Sequence, residues 1–264
     1  MDLFVREYGP VGAPAIVFLH GGKMSGWSWE PVVQRMQGYH CLVPDLPQYG
    51  KSFQHGPFEM GRAADAVAEL IRSRVGSGRA HVVGFSLGAQ VGVQLLATEP
   101  NLVDRAVLCG TVINTTPWVR STQLLLGTIS RNTFYRWVVR RYRNARHAPI
   151  PSAKIAEYRE DVRLVKGAQF ADIVVASSGF TLPEGLDKSD SPTLFLTGAK
   201  EAGFVRRWAA ALAQPMPNGV DRIAIGMRHN WPLYHPDLFS RTVNGWLTGG
   251  ALPPEIAPPN SDRR

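Results

Sequence analysis

The chain contains 264 residues, of which 44% are hydrophobic and 19% are charged. This composition is typical of a globular protein, and the length allows one large α/β domain or two small ones. No run of about 18 apolar residues occurs, so we expect no membrane span. Charged residues interrupt the first nine positions, where a signal peptide would be apolar, and we therefore expect a cytoplasmic protein.

Basic residues outnumber acidic residues by 29 to 21, which gives a net charge of +8. The excess is concentrated in residues 118–147, which include seven arginines and no acidic residue. Such a stretch can attract nucleic acid, an anionic membrane or an acidic substrate, although a solvated helix face is the ordinary interpretation. No helix-turn-helix or zinc-finger pattern is present, so we expect no nucleic-acid partner.

The two cysteines, Cys41 and Cys109, lie in strand-like apolar runs. They do not have metal-ligand spacing, and in a cytoplasmic protein the pattern predicts buried free thiols. We expect neither a metal ion nor a cofactor.

Strand and helix patterns alternate along the chain. Short apolar runs predict strands at 15–20, 40–45, 80–85, 105–109, 193–197 and 222–225. Helical periodicity predicts helices at 29–37, 58–75, 87–98, 205–212 and 236–246. This alternation is typical of an α/β fold with a mostly parallel sheet between two layers of helices.

The alternation stops between residues 112 and 187, where helical periodicity continues without a convincing strand. A segment of this length is too long for a simple connection, so we expect a helical insertion. The core domain would then comprise residues 1–111 and 188–248. The Pro- and Gly-rich residues 249–264 predict a disordered tail.

Residues 84–88 have the sequence Gly-Phe-Ser-Leu-Gly, which matches the pattern G-x-S-x-G. The pentapeptide is a weak signal by itself, and Ser86 could simply cap a helix. Here, however, it directly follows a predicted strand and begins a predicted helix. A sharp turn at that place would project the Ser86 hydroxyl from the edge of the sheet, and the glycines would prevent collisions.

A serine hydroxyl needs a neighbouring base to act as a nucleophile at neutral pH. His229 lies on the loop after the last predicted strand and is the best candidate. His235 is the main competitor, but it is farther from that strand. His20 ends a strand and is better placed to orient the following loop, whereas His40 and His81 begin strands at the opposite end of the sheet.

Four stretches resemble the α/β-hydrolase fold family: residues 20–22 (His-Gly-Gly), 44–52, 84–88, and His229. The resemblance covers nearly the whole chain apart from the tail. It implies an eight-stranded, mostly parallel sheet flanked by helices, with the insertion as a cap over the active site. It also implies Ser86 as nucleophile, His229 as general base, and an acid from the loop after the strand at 193–197.

At the position of the family's acid, commonly Gly-x-x-Asp, this chain has Gly198-Ala-Lys-Glu201. The resemblance therefore implies Glu201 as the residue that orients the imidazole, a role that either carboxylate can fill. A surface ion pair with a nearby arginine is the alternative for Glu201. Asp187 and Asp190 precede the strand and should lie at its wrong end, and Asn114 after the preceding strand is not a carboxylate.

The resemblance also implies an oxyanion hole. One backbone N–H should come from Leu87, at the start of the helix, where the helix dipole is favourable. The other should come from Gly22, with Lys23 as a possible substitute.

The substrate would be a small, largely apolar molecule. We expect substrate contacts from Lys23, Trp27, Trp118, Phe134 and Trp137, although Trp27 could equally be a core residue. The arginines of 118–147 add an anionic substrate as an option.

A serine nucleophile favours hydrolysis of an ester, thioester or lactone through an acyl-enzyme. Carbon–carbon hydrolysis, lyase chemistry and a non-catalytic binder of the same fold remain alternatives. The protein could act as a monomer or a homodimer.

Overall fold

The sheet contains eight strands in the order β1-β3-β2-β4-β5-β6-β7-β8. The computed structural model describes residues 1–113, 150–164 and 167–259. The strands are β1 Val5–Tyr8, β2 Ala15–Leu19, β3 His40–Pro44, β4 Ala80–Phe85, β5 Val103–Cys109, β6 Thr193–Gly198, β7 Gly219–Ala224 and β8 Ile256–Ala257. The outer strands β1 and β8 pair antiparallel to their neighbours, and all other pairs are parallel. The predicted α/β fold with a mostly parallel eight-stranded sheet is confirmed.

Helices cover both faces of the sheet. They are α1 Glu30–Val33, α2 Met60–Arg74, α3 Leu87–Thr98, α4 Ile155–Leu164, α5 Gly167–Ser178, α6 Gly203–Ala213, α7 Trp231–Tyr234 and α8 Pro236–Leu247. Side chains of α2, α3 and α6 belong to one apolar cluster, and side chains of α1, α7 and α8 belong to the other. Along β2, Val17 faces the first cluster and Phe18 the second, because successive side chains of a strand point to opposite faces. The central strands are therefore buried on both sides, which explains their continuous apolar sequences.

The predicted strands agree with the structure to within three residues at each end. The sequence reasoning did not find β1, whose residues Val-Arg-Glu-Tyr show no apolar run. The helix predicted at 29–37 is wrong in extent. The chain instead forms a 3-10 turn at Gly26–Trp29 followed by the four-residue helix α1. After α1 the backbone forms hydrogen bonds between residues three positions apart, such as that from Arg35 N–H to the Val32 carbonyl. Such bonds are typical of a helix terminus.

The predicted disordered tail is wrong for residues 249–259. The short strand β8 pairs with β7, where Ile223 is opposite Ala257 and Ala224 is opposite Ile256. Ile225 N–H also donates a hydrogen bond to the Glu255 carbonyl at 2.9 Å. Backbone hydrogen bonds and burial of Ile256 order this segment despite its proline content.

Within the described residues, the insertion contributes the helices α4 and α5. The whole arginine-rich stretch 118–147 lies outside the described residues, as part of 114–149. No helix in the part of the chain that the structure describes has the length and apolar character needed to cross a bilayer.

Candidate active site

Ser86 occupies the sharp turn between β4 and α3. Its backbone angles are φ 52° and ψ −110°, which is a strained conformation for a residue with a side chain. Two glycines make the turn possible. A methyl group on Gly84 would lie 2.7 Å from the Gly88 carbonyl oxygen, and one on Gly88 would lie 2.1 Å from the Leu19 carbonyl oxygen. The G-x-S-x-G pattern thus follows from backbone approach that no larger residue allows.

The His229 imidazole lies beside Ser86. Its Nε2 atom is 3.2 Å from the Ser86 Oγ atom, which is within hydrogen-bond distance. The Phe85 ring packs against the imidazole with a centroid separation of 5.1 Å. An imidazole nitrogen in this position can accept a proton from the serine hydroxyl.

Glu201 contacts the other side of the imidazole. Its Oε2 atom is 2.7 Å from His229 Nδ1, and its Oε1 atom accepts the Gly198 N–H at 2.8 Å. The Glu201 side chain is only 5% exposed, whereas that of His229 is 37% exposed. This burial excludes the alternative of a surface ion pair for Glu201. The loop after β6 accommodates the longer acid because the Gly198 N–H holds its second oxygen.

The other candidate histidines among the described residues lie elsewhere. His235 is exposed at the start of α8, and His40 contacts Glu7 near the opposite end of the sheet, with Nε2 3.1 Å from Oε2. His20 is fully buried, and burial lowers its pKa to about 4. Its Nδ1 is 2.9 Å from the Gly21 carbonyl oxygen, and its Nε2 accepts the Leu46 N–H, so the proton resides on Nδ1. His20 therefore fixes the loop after β2, as the sequence suggested.

The loop after β2 carries the proposed oxyanion donors. Lys23 has φ 66°, a left-handed conformation that is uncommon for a residue with a side chain. Burial raises the pKa of the Tyr49 hydroxyl, and a hydrogen bond from the Lys23 backbone acts against this increase. Leu87 is the first residue of α3, where an N–H has no acceptor within its own helix.

The structure places the other predicted substrate-binding residues as follows. Trp27 is 7% exposed and belongs to an apolar core cluster together with Trp29, which agrees with the alternative that both are core residues. Trp118, Phe134 and Trp137 lie outside the described residues.

Gly110 and Tyr49 are components of the site that the sequence reasoning missed. Gly110 directly follows β5 and has φ +67°, and a side chain there would collide with His229. A glycine directly after a predicted strand was the available signal for Gly110. No local pattern distinguishes the Tyr49 hydroxyl as a partner of Lys23.

A cleft with a volume of about 670 Å³ adjoins the histidine and glutamate. It is formed by the loops that follow β6 and β7 and by α7. Its lining includes the basic side chains of Lys200, Arg228 and His235, all of which are exposed. Among the described residues that line the cleft, Glu201 is the one acidic residue. Among the described residues, no cluster of three or more potential metal ligands occurs.

Comparison with known proteins gives a consistent family match. Residues 14–150 match the family described as alpha/beta hydrolase fold. An AB hydrolase superfamily protein of Gibberella zeae is 33% identical over 41% of this chain and 39% of its own length. Lipase LipV of Mycobacterium tuberculosis is 32% identical over 41% of each chain. The chain thus spans about two fifths of the length of these two relatives.

Other relatives match over nearly their full length at lower identity. A pimeloyl-[acyl-carrier protein] methyl ester esterase of Yersinia enterocolitica is 24% identical over 86% of this chain and 91% of its own. The crystal structure of the enol-lactonase from Burkholderia xenovorans LB400 superposes with a TM-score of 0.73 at 20% identity, over 93% of this chain and 96% of the enol-lactonase. At this identity, the superposition establishes a shared fold.

Proposed function

The chain belongs to the α/β-hydrolase fold family, and we propose that it is a serine hydrolase that cleaves an ester, thioester or lactone. The observation that carries the proposal is the continuous hydrogen-bonded series from Ser86 through His229 to Glu201, with the serine held on a strained turn. The Yersinia relative is named for methyl ester cleavage, and the Mycobacterium relative is named a lipase, which supports ester chemistry.

In the proposed mechanism, the Ser86 hydroxyl oxygen attacks the carbonyl carbon of the substrate while its proton passes to His229 Nε2. Glu201 accepts the Nδ1–H, fixes the tautomer and stabilises the imidazolium that forms. The oxygen of the tetrahedral intermediate takes hydrogen bonds from the Gly22 and Leu87 backbone N–H groups. The intermediate collapses as His229 returns the proton to the leaving group. A water molecule, activated by the same histidine, then hydrolyses the acyl-enzyme.

Two assays test this function. We expect the protein to hydrolyse short p-nitrophenyl esters and to be labelled by a fluorophosphonate, and we expect Ser86→Ala to lose both properties. A folded wild-type protein with no labelling and no Ser86-dependent turnover would favour the non-catalytic binder. Turnover of a carbon–carbon substrate with poor ester turnover would favour the alternative chemistry on the same residues.

We propose further that the substrate carries an anionic group. Lys200, Arg228 and His235 line the cleft next to His229, and Glu201, the one carboxylate among its described lining residues, is hydrogen-bonded through both oxygens. An excess of positive side chains at a cleft raises the local concentration of an anionic ligand.

The corresponding test compares an acidic ester with a neutral ester of equal length. Lys200→Glu and Arg228→Glu should lower kcat/KM for the acidic ester by about tenfold, with little change for the neutral ester, and salt should reduce the difference. Equal effects on both esters at all salt concentrations would contradict this proposal.

A further inference from the structure

The loop that follows β2 is held in an unfavourable conformation at Lys23. A positive φ at a residue with a side chain persists only when its surroundings enforce it. Before Lys23, His20 binds the Gly21 carbonyl. At Lys23 itself, the Tyr49 hydroxyl binds the backbone N–H. The contacts that hold the loop after Lys23 come from two buried carboxylates on different parts of the chain.

The first of these carboxylates belongs to Asp45, which follows β3 and is fully buried. Its Oδ1 atom accepts the Gly26 N–H at 2.8 Å and pairs with Arg6 at 2.5 Å. Its Oδ2 atom accepts the Lys51 N–H at 2.8 Å. Asp45 therefore anchors the loop from the side of the core.

The second carboxylate is that of Asp161, on α4 in the insertion. Its Oδ2 atom accepts the Trp27 indole N–H at 2.6 Å, and its Oδ1 atom accepts the Ser25 hydroxyl at 3.2 Å. All three residues are buried: Asp161 is 5% exposed, Trp27 7% and Ser25 1%. Asp161 thus reaches from the insertion to the residues directly after Lys23.

A carboxylate in this position has an energetic cost. Burial raises the pKa of Asp161 to about 6, with a smaller contribution from Asp45, and the hydrogen bonds from Trp27 and Ser25 and the charge of Arg6 act against this increase. Burial raises the pKa of Asp161 more than its hydrogen bonds and the charge of Arg6 lower it. The ionised carboxylate is therefore less stable at this place than it would be in water. The two donors it holds are both on the loop with the proposed oxyanion donor.

We propose that Asp161 is a positioning residue of the oxyanion hole. Through Trp27 and Ser25 it keeps the strained backbone at Lys23, and with it the Gly22 N–H, directed toward the Ser86 side of the loop. The inference rests on the proposed serine-hydrolase function. It assigns to the insertion a part in transition-state stabilisation, in addition to its expected role as a cap.

The test uses the full-length protein and the esters described above. Asp161→Ala should lower kcat by about tenfold or more with KM nearly unchanged, because a misplaced oxyanion donor affects the transition state rather than substrate binding. It should also weaken by a similar factor the inhibition by a trifluoromethyl ketone, whose serine adduct carries an oxyanion. Asp161→Asn, which retains one acceptor oxygen, should recover part of kcat.

Trp27→Phe keeps the aromatic ring but removes the donor, and it should reproduce part of the loss. If Asp161 acts through Trp27, Asp161→Ala should cost less kcat in the Trp27→Phe background than in the wild type. The control is Ser177→Ala. Its hydroxyl, on α5, donates to Gln90 at 2.8 Å, so this variant loosens the insertion without contact to the loop, and kcat should stay near wild type.

The outcomes distinguish failure of the proposed serine-hydrolase function from failure of the inference about Asp161. Absence of Ser86-dependent turnover in the wild type would remove the proposed function itself. An active wild type whose Asp161→Ala and Trp27→Phe variants keep kcat and inhibitor affinity would overturn the inference alone. If Asp161→Ala does not fold, the variants Trp27→Phe and Asp161→Asn test the inference instead. Unchanged kcat in both of them would also overturn the inference. A fall in kcat for Ser177→Ala equal to that for Asp161→Ala would show a general effect of the insertion and would likewise overturn it.

Discussion

Gly110 leaves the space that the His229 imidazole occupies. A methyl group at Gly110 would lie 2.7 Å from the His229 Cε1 atom and 2.9 Å from Nδ1. Gly110 is fixed at the end of β5 by its N–H, which donates to the Leu196 carbonyl at 2.8 Å. The end of β5 therefore sets where the imidazole can stand relative to Ser86 and Glu201.

Gly110→Ala should lower turnover by about a hundredfold or more, because even a displacement of about 1 Å in a reacting group can have an effect of that size. Stability should also fall, by about 1 kcal/mol, because φ at this position is +67°. The matched control is Gly78→Ala, where φ is +69° and no atom lies within 4 Å of the added methyl group. Both variants should show similar thermal destabilisation, and Gly110→Ala alone should lose activity. Normal activity in Gly110→Ala would mean that His229 can shift without consequence.

Glu201→Gln should leave the fold intact and reduce kcat by roughly 10² to 10⁴, because an amide at this place favours the wrong imidazole tautomer. Glu201→Asp should keep part of the activity, since the carboxylate remains but is shorter by one methylene group. Steady-state kinetics and circular dichroism of the two variants check this. Near-wild-type turnover of Glu201→Gln would exclude the carboxylate from the mechanism.

His20 should make the stability of the protein depend on pH. Burial lowers the pKa of His20 in the folded state to about 4, whereas the pKa of a histidine in the unfolded chain is about 6.5. Between these values the unfolded chain binds the proton preferentially, so the His20 contribution to the free energy of unfolding falls as pH falls, by up to about 1.4 kcal/mol per pH unit. Asp161 has the opposite effect. Because its pKa is raised in the folded state, its contribution to the free energy of unfolding increases as pH falls from about 6 to about 4.

A comparison with His20→Asn isolates this contribution. Asn retains a donor for the Gly21 carbonyl but does not titrate. In urea unfolding experiments, the variant should be less stable than the wild type at pH 7.5, and the difference should narrow toward pH 4. A difference that stays constant from pH 7.5 to 4 would contradict a buried neutral His20.

Neither cysteine should react in the folded protein. Cys41 and Cys109 are free and buried, and burial raises the pKa of both, that of Cys41 to about 12. The thiolate, which is the reactive form, is therefore scarce at pH 8. Mass spectrometry after iodoacetamide treatment should show no modification in buffer and two modified cysteines in urea. Rapid labelling of either thiol in buffer would show that its strand is accessible.

Much of the fold could be predicted from the sequence because the central strands are buried on both faces. Their apolar runs, such as residues 80–85, stand out without any knowledge of their neighbours. The strands β1 and β8 could not be found in this way, since each is at an edge of the sheet and depends on pairing with a distant strand. Local sequence carries little information about such pairing.

The convergence of Ser86, His229 and Glu201 could be predicted because each follows a parallel strand, and the carboxyl ends of parallel strands meet at one edge of the sheet. Their catalytic roles remain the proposal made above. Asp161 could not be predicted. It lies on the polar-rich helix α4, and its partners Ser25 and Trp27 are more than 130 positions away along the chain. Contacts of that kind appear only once the insertion is placed on the core.

The strand β8 also covers the outer edge of β7, and we expect this pairing to limit self-association. An unpaired strand edge is a template for pairing with another chain, and β8 occupies the outer edge of β7 with Ile223 and Ala224 as its partners. A protein shortened to end at Thr248 would keep every residue of the proposed site. It would nevertheless expose that edge, and we expect it to aggregate at concentrations where the longer chain stays dispersed.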